Sequence, residues 1–278
     1  YETNIMGTVN LLEAVRHCDS VRTIINVTTD KCYENKEWIY GYREIDPLGG
    51  YDPYSSSKAA SELITASYRN AYFNPQDYGT KHHVALASAR AGNVIGGGDW
   101  SDDRLVPDSI KALKLNQVIN IRNPHATRPW QHVLEPLAGY LSLASKLEED
   151  PRTLAEAWNF GPKNTAAINV EEVVSKIIKL WGRGKYSVDT TEHPHEANYL
   201  KLDLSKTSQR LKFNPVLEID EALQLTVQWY KNFYEVNTSN SREYTINQIR
   251  EYHKKRFGTL TKAIDKLARN INQVQSVS

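Results

Sequence analysis

The 278-residue chain has only two cysteines, Cys18 and Cys32. That is too few for a disulfide framework or a cysteine zinc cluster, and it agrees with a reducing compartment. An excess of one charge is also missing, because 34 basic and 33 acidic residues leave a net charge of +1. Such a balance creates no global field favouring nucleic acid or an anionic membrane, so any anion site must be local. No apolar run approaches the length that crosses a bilayer, and YETNIMGTVN lacks the charged and apolar regions of a signal peptide. The chain therefore reads as soluble and cytoplasmic. Internal repeats and low-complexity segments are absent too. What it has in number is aromatic rings, 6 Trp and 16 Tyr. Such rings serve ordinary packing, and they also wall the pockets of ring-shaped ligands.

Apolar residues at helical spacing run through TNIMGTVNLLEAVRHC, a helix that needs something to pack on. RTIINVT reads as a strand, followed by a loop rich in Tyr, Glu, Gly and Pro and then a long helix through SSSKAASELITASYRNAYF. HHVALASAR is the next strand, ending in the glycine-rich turn GNVIGGGDW. Strands alternating with helices predict βαβ units and a parallel sheet, hence an α/β fold. From about Asp102 the elements shorten, with a helix at VPDSIKALKL, short strands near VINIR and PWQHV, and a helix at LEPLAGYLSLASKLEE. AWNFG reads as a strand, INVEEVVSKIIKLW as a helix opened by Asn169, and EIDEALQLTVQWYKNFYE as another helix. The tail after Asn237 is polar and helix-like, without a heptad repeat.

Tyr54 and Lys58, in YDPYSSSKAASE, stand four residues apart near a helix start and so share a face. An ammonium beside a phenol stabilises phenolate and lowers a pKa ordinarily about 10, which makes Tyr a usable base. Y-x-x-x-K alone is common by chance. Its position adds weight, since the helix follows a strand that ends in NVTTDKCY, where Thr28 and Thr29 could bond the same substrate oxygen. Parallel α/β sheets place their sites at the carboxyl ends of strands. In isolation the same stretch reads as a polar turn with a solvated lysine.

TNIMGTVNLLEA, NVTTDKCY, YDPYSSSK, RAGNVIGGGDW, DDRLVPD and ATRPWQHV, in this order, resemble the extended short-chain dehydrogenase/reductase superfamily. More narrowly they resemble its nucleotide-sugar 4,6-dehydratases, over the chain from Tyr1 to about Tyr234. The resemblance implies a Rossmann-like, doubly wound parallel sheet with a smaller mixed α/β substrate domain. It places the Rossmann part at residues 1–101, intermixed with 128–163, the sugar-nucleotide part mainly at 102–237, and a polar helical tail at 238–278. Members of the superfamily open with a glycine-rich dinucleotide turn that this sequence does not show, and GGGDW starts no clear helix that could cradle phosphate. The resemblance thus implies that roughly a hundred N-terminal residues are absent, and that the remaining functional expectations concern the intact protein.

Those expectations are specific. NAD is the implied cofactor, accepting a hydride from sugar C4 and returning it to C6, and CDP-glucose is the implied substrate of a hydro-lyase in deoxy-sugar biosynthesis. Tyr54 removes the 4-hydroxyl proton, while Thr29 and Lys58 hold the oxygen and the ribose. Asp30 and Lys31 stand where many relatives have Asp-Glu, and they eliminate water across C5–C6. Asp30 as acid with Lys31 as base is one assignment and the reverse is the other; a lysine base needs burial or a nearby cation. Asn4, Val27, Thr28 and Ala91 join Tyr54 and Lys58 on the cofactor side, although Asn4 also suits a helix N-cap. Asn93, Arg104, Arg122, Arg128, His195, Glu196 and Tyr199 are the implied substrate contacts. Arg122 is placed to read the cytosine, and a guanidinium such as that of Arg128 suits phosphate oxygens. No metal is implied, because H-x-H-E around His195 has no further Cys or His partner in view. The helices near 1–18 and 52–73 are expected to form a four-helix homodimer interface. The alternatives are a nucleotide-sugar 4-epimerase, a dehydratase of dTDP- or GDP-sugars, and a noncatalytic NAD-responsive binding protein.

Overall fold

The computed structural model describes residues 1–163, 168–189, 199–235 and 240–258. They fall into two compact units, Tyr1–Val227 and Gln228–Ser278. In the first, a π-helical turn at Glu2–Met6 leads into α1 (Gly7–Arg16), β1 (Thr23–Val27), α2 (Pro53–Ala71), β2 (Ala85–Ala91), β3 (Val94–Ile95) and α3 (Leu105–Lys114). There follow β4 (Ile119–Ile121), β5 (Thr127–Arg128), β6 (Gln131–His132), α4 (Leu134–Glu149), α5 (Pro151–Leu154) and β7 (Ala157–Phe160). The last elements are β8 (Ile168–Asn169), α6 (Val170–Trp181), β9 (Tyr186–Val188) and α7 (Ile219–Glu235), whose final turns belong to the second unit.

The central sheet has the order β1-β2-β7 and is parallel throughout, with Val27 opposite Ala89 and Ala91 opposite Phe160. All seven residues of β2 are buried, as expected of a strand covered on both faces. Alternation sorts its side chains. Ala85, Ala87 and Ala89 face Leu143 and Leu147 of α4 together with Trp158 and Phe160. Leu86 turns the other way, onto Leu12 and Val15 of α1. Small residues on the first face let α4 lie close, and Gly139 of α4 continues this, since a Cβ there would overlap the Phe160 ring. The expected α/β fold, a parallel sheet with helices on both faces, is the one the chain forms.

Helix starts follow local chemistry. Asp52 caps α2 by accepting from Ser55 N (2.9 Å) and Ser55 Oγ (2.6 Å), and Pro53 supplies a first helical residue that has no N–H to satisfy. Asn169 and Glu172 form a capping box on α6, with bonds of 2.8 and 3.0 Å. The residue 1–18 helix of the sequence reading is divided, its first turn being π-helical. There Thr8 Oγ1 bonds both Asn4 O and Ser61 Oγ, drawing this end onto α2.

A buried carboxylate ties a distant segment to α4: Glu135 Oε1 accepts from Val216 N (2.8 Å) and Leu217 N (2.7 Å). Glu135→Ala is expected to lower the unfolding free energy by on the order of 3 kcal/mol, because buried N–H groups lose a charged partner. Chemical denaturation measures this, and an unchanged midpoint would deny the clamp.

In the second unit the end of α7 meets α8 (Ser241–Phe257), where Trp229 Nε1 donates to Thr245 Oγ1 at 2.8 Å. Among the described residues, no helix is long and apolar enough to cross a membrane.

Candidate functional site

The site is built at the carboxyl end of β1. Thr28 N continues the ladder to Ala89 O at 2.9 Å, after which the backbone turns. Thr29 holds that turn: its Oγ1 accepts from Lys31 N (3.3 Å) and donates to Asp30 Oδ1 (3.0 Å), capping a 3-10 turn at Asp30–Cys32. Asp30 is 2% exposed, and its Oδ2 has no hydrogen-bond partner among the described residues. Burial pushes its carboxyl up to about 6, against the lowering effects of the Thr29 bond and the Lys31 and Arg128 charges. A Cβ at Gly92 would overlap Pro129 and lie 3.1 Å from that Oδ2, so only glycine lets the backbone pass so close to the carboxylate. Lys31 is exposed, with Nζ 6.0 Å from the centre of the Tyr54 ring.

Tyr54 and Lys58 both lie on α2, where the Asp52 cap fixes the first turn. Tyr54 is 49% exposed, so its phenol is open to a ligand. Lys58 Nζ donates to Val27 O at 3.4 Å, and burial lowers its pKa while the Glu62 charge opposes the shift. Asn4 is not an N-cap. Its Nδ2 donates to Ser57 Oγ (2.9 Å), and Ser57 Oγ donates to Tyr54 O (2.7 Å). Asn4 therefore reaches the Tyr54 backbone through a hydroxyl.

The other candidates are more scattered. Thr28 turns inward, donating from Oγ1 to Glu62 Oε1 at 2.5 Å. Ala91 closes β2, and Asn93 O accepts from Gln131 N at 2.9 Å, joining β3 to β6. Tyr199 bridges Thr127 beside Arg128, and its carbonyl accepts from Asn35 Nδ2 at 3.1 Å. Arg104 and Arg122, both exposed, point to acidic partners, the half-buried Asp99 and the exposed Asp103, each at 3.2 Å. His195 and Glu196 lie outside the described residues.

A family model described as GDP-mannose 4,6 dehydratase matches residues 1–226. The chain belongs to the GDP-mannose 4,6 dehydratase family. It is 50% identical over 232 residues to CDP-glucose 4,6-dehydratase of Salmonella typhimurium, covering 83% of this chain and 64% of that protein. With dTDP-glucose 4,6-dehydratase of Streptomyces griseus it shares 25% identity over 82% of the chain and 64% of the relative. The chain thus spans somewhat less than two thirds of these relatives. Among solved structures, dTDP-glucose 4,6-dehydratase from Bacillus anthracis in complex with NAD superposes with a TM-score of 0.69 at 24% identity, over 86% of this chain and 71% of that one. UDP-glucuronic acid 4-epimerase from Bacillus cereus gives 0.71 at 22% identity, over 84% and 69%. The last two matches show the common fold.

At this strand end, Val27, Tyr54 and Lys58 are residues that could hold a cofactor. Val27 is an exposed apolar residue at the strand end, the Tyr54 hydroxyl is open, and the Lys58 ammonium has donors beyond its bond to Val27 O. Sequence reasoning missed four buried groups behind this edge: Glu62, Arg90, Tyr33 and Asn159. Their signal was an arginine inside ALASARA, a run of small residues otherwise suited to a central strand.

Proposed function

We propose that the intact protein is an NAD-dependent hydro-lyase converting CDP-D-glucose to CDP-4-dehydro-6-deoxy-D-glucose and water. The observation that carries this is the buried Asp30 carboxyl, raised to about 6, next in sequence to a lysine that faces the Tyr54 ring. An epimerase needs one acid-base pair at C4, whereas elimination needs a second, and Asp30 with Lys31 supplies it. The half-identical relative named CDP-glucose 4,6-dehydratase supports the choice of substrate.

NAD bound at Val27, Tyr54 and Lys58 would accept hydride from C4 and return it to C6. Tyr54 takes the 4-hydroxyl proton, with Thr29 Oγ1 holding the reacting oxygen and Lys58 the ribose. The resulting 4-ketone acidifies the C5 proton. Asp30 and Lys31 divide the two proton transfers, removal of the C5 proton and protonation of the departing 6-hydroxyl, the acid being Asp30 in one assignment and Lys31 in the other. Asn4 steadies the Tyr54 turn through Ser57. Ala91 lies on the cofactor side, Asn93, Arg128 and Tyr199 contact the sugar diphosphate, and Arg104 and Arg122 reach the nucleotide after leaving their aspartates. Residues 102–237 mainly form the nucleotide-sugar side. Exposed Leu11 on α1 and Leu63 on α2 support a homodimer through those helices.

The test is to incubate the intact protein with CDP-glucose and catalytic NAD and follow the sugar by NMR. A 4-keto-6-deoxy product is expected, with dTDP-glucose turned over more slowly. C4 inversion without water loss would instead establish an epimerase.

A further inference from the structure

Behind the strand end lies a chain of buried polar groups that the steps above do not use. Glu62 and Arg90 are 2% and 3% exposed and pair at 2.8 Å. Such a pair is a poor source of stability, since apolar residues of similar volume often serve as well. Its bonds are directional, however, and they favour one arrangement even though Arg90 Nε has no partner among the described residues. Glu62 accepts from Thr28 Oγ1 (2.5 Å), Ser88 Oγ (2.7 Å) and Arg90 Nη2 (2.8 Å). Arg90 Nη1 continues to Tyr33 Oη (2.9 Å) and Glu44 O (3.2 Å). Tyr33 Oη donates to Asn159 Oδ1 (2.7 Å), whose Nδ2 donates to Tyr42 O and Asp203 O. Burial alone would raise the Glu62 carboxyl, yet the Arg90 bond and charge hold it below the ordinary range, so the pair stays ionised.

The chain joins two neighbouring parts of the site. Glu62 follows Lys58 by one helical turn, and Thr28 adjoins Thr29, so the bond from Thr28 to Glu62 spans the gap between α2 and the turn after β1. We propose that Glu62, Arg90 and Tyr33 are positioning residues that lock α2 in one register against the end of β1, setting Tyr54 and Lys58 against Thr29, Asp30 and Lys31. A one-residue slip of α2 would move Tyr54 by about 1.5 Å and swing it about 100° around the axis. Displacements of that size cost on the order of a hundredfold in rate. The inference rests on the catalytic reading of those five residues.

Thr28→Val and Tyr33→Phe test it in the intact, NAD-bound protein, because each removes one hydroxyl and leaves the ion pair in place. Each is expected to lower kcat for CDP-glucose about tenfold, with KM within about twofold. The bound NAD content should stay unchanged, and Thr28→Ser should restore the rate. Wild-type kcat in both variants, with only a lowered Tm, would overturn the positioning role. Tyr54→Phe separates the two ideas. If it is inactive while Thr28→Val and Tyr33→Phe are fully active, positioning alone falls; if Tyr54→Phe turns over normally, the catalytic reading fails and positioning falls with it.

Discussion

Tyr54→Phe is expected to lower kcat on CDP-glucose by roughly 10²–10⁴-fold, the contribution of a positioned acid-base group, with KM changed by less than about threefold. The ring remains, so packing against the first turn of α2 is preserved, and a half-exposed phenol contributes little burial to lose. What disappears is the oxygen that, on the proposed reading, takes the 4-hydroxyl proton. Steady-state kinetics decides the point. A KM effect without a kcat effect would make Tyr54 a binding residue, and no effect on either would move the base elsewhere. Because the proposed reaction oxidises C4 before elimination, this variant should also fail to exchange the C5 proton with deuterium.

The parts of this structure that could be read from sequence are those whose signals are local. Asp52-Pro53 announces the start of α2 through both a cap and a proline, and the helix begins at Pro53. LEPLAGYLSLASKLEE corresponds to α4 residue for residue, and Asn169 opens α6 with Glu172 completing the box. The two-residue strands β3 and β8 were not legible, since two residues carry no period and exist only through a distant partner, although β6 lies within the strand read at PWQHV. The same reason hid the buried network. Glu62 stands four residues after Lys58, a spacing that usually marks a solvated surface pair. Its strongest partner, Arg90, lies on a strand 28 residues away, and the third member, Tyr33, lies in the loop after β1. Thr28 was likewise assigned outward because strand-end hydroxyls often face a ligand, whereas the carboxylate beneath it turns it inward. Arg104 and Arg122 carried a phosphate or base signal by residue type, but their nearby aspartates could not be weighed until the loop was folded.

Asp30→Asn should separate stability from catalysis. Burial raises the Asp30 pKa from 3.8 to about 6 in the folded protein, so the native state binds a proton more tightly than the unfolded chain. The stabilising contribution is complete below about pH 4 and is lost as pH rises through about 6. Above that, the native state must hold a charged carboxylate away from water, at a cost on the order of 3 kcal/mol. Asparagine is neutral at every pH and nearly the same shape. The variant is therefore expected to have a higher Tm than wild type at pH 8, with the difference shrinking through pH 6 and vanishing near pH 4; an equal Tm throughout would deny the buried-charge penalty. Catalysis should move oppositely, with water loss falling by roughly 10²–10⁴-fold when one of the two acid-base groups is removed. If Asp30 is the acid, the variant still exchanges the C5 proton with deuterium after oxidation at C4, and wild-type kcat falls as pH rises through about 6. If Asp30 is the base, exchange disappears and the pH dependence reverses, leaving Lys31 to protonate the leaving hydroxyl. A carboxyl kept dry enough to hold its proton above the ordinary range is thus a destabilising group in the fold, and on the proposed reading it is kept for a proton transfer of the elimination.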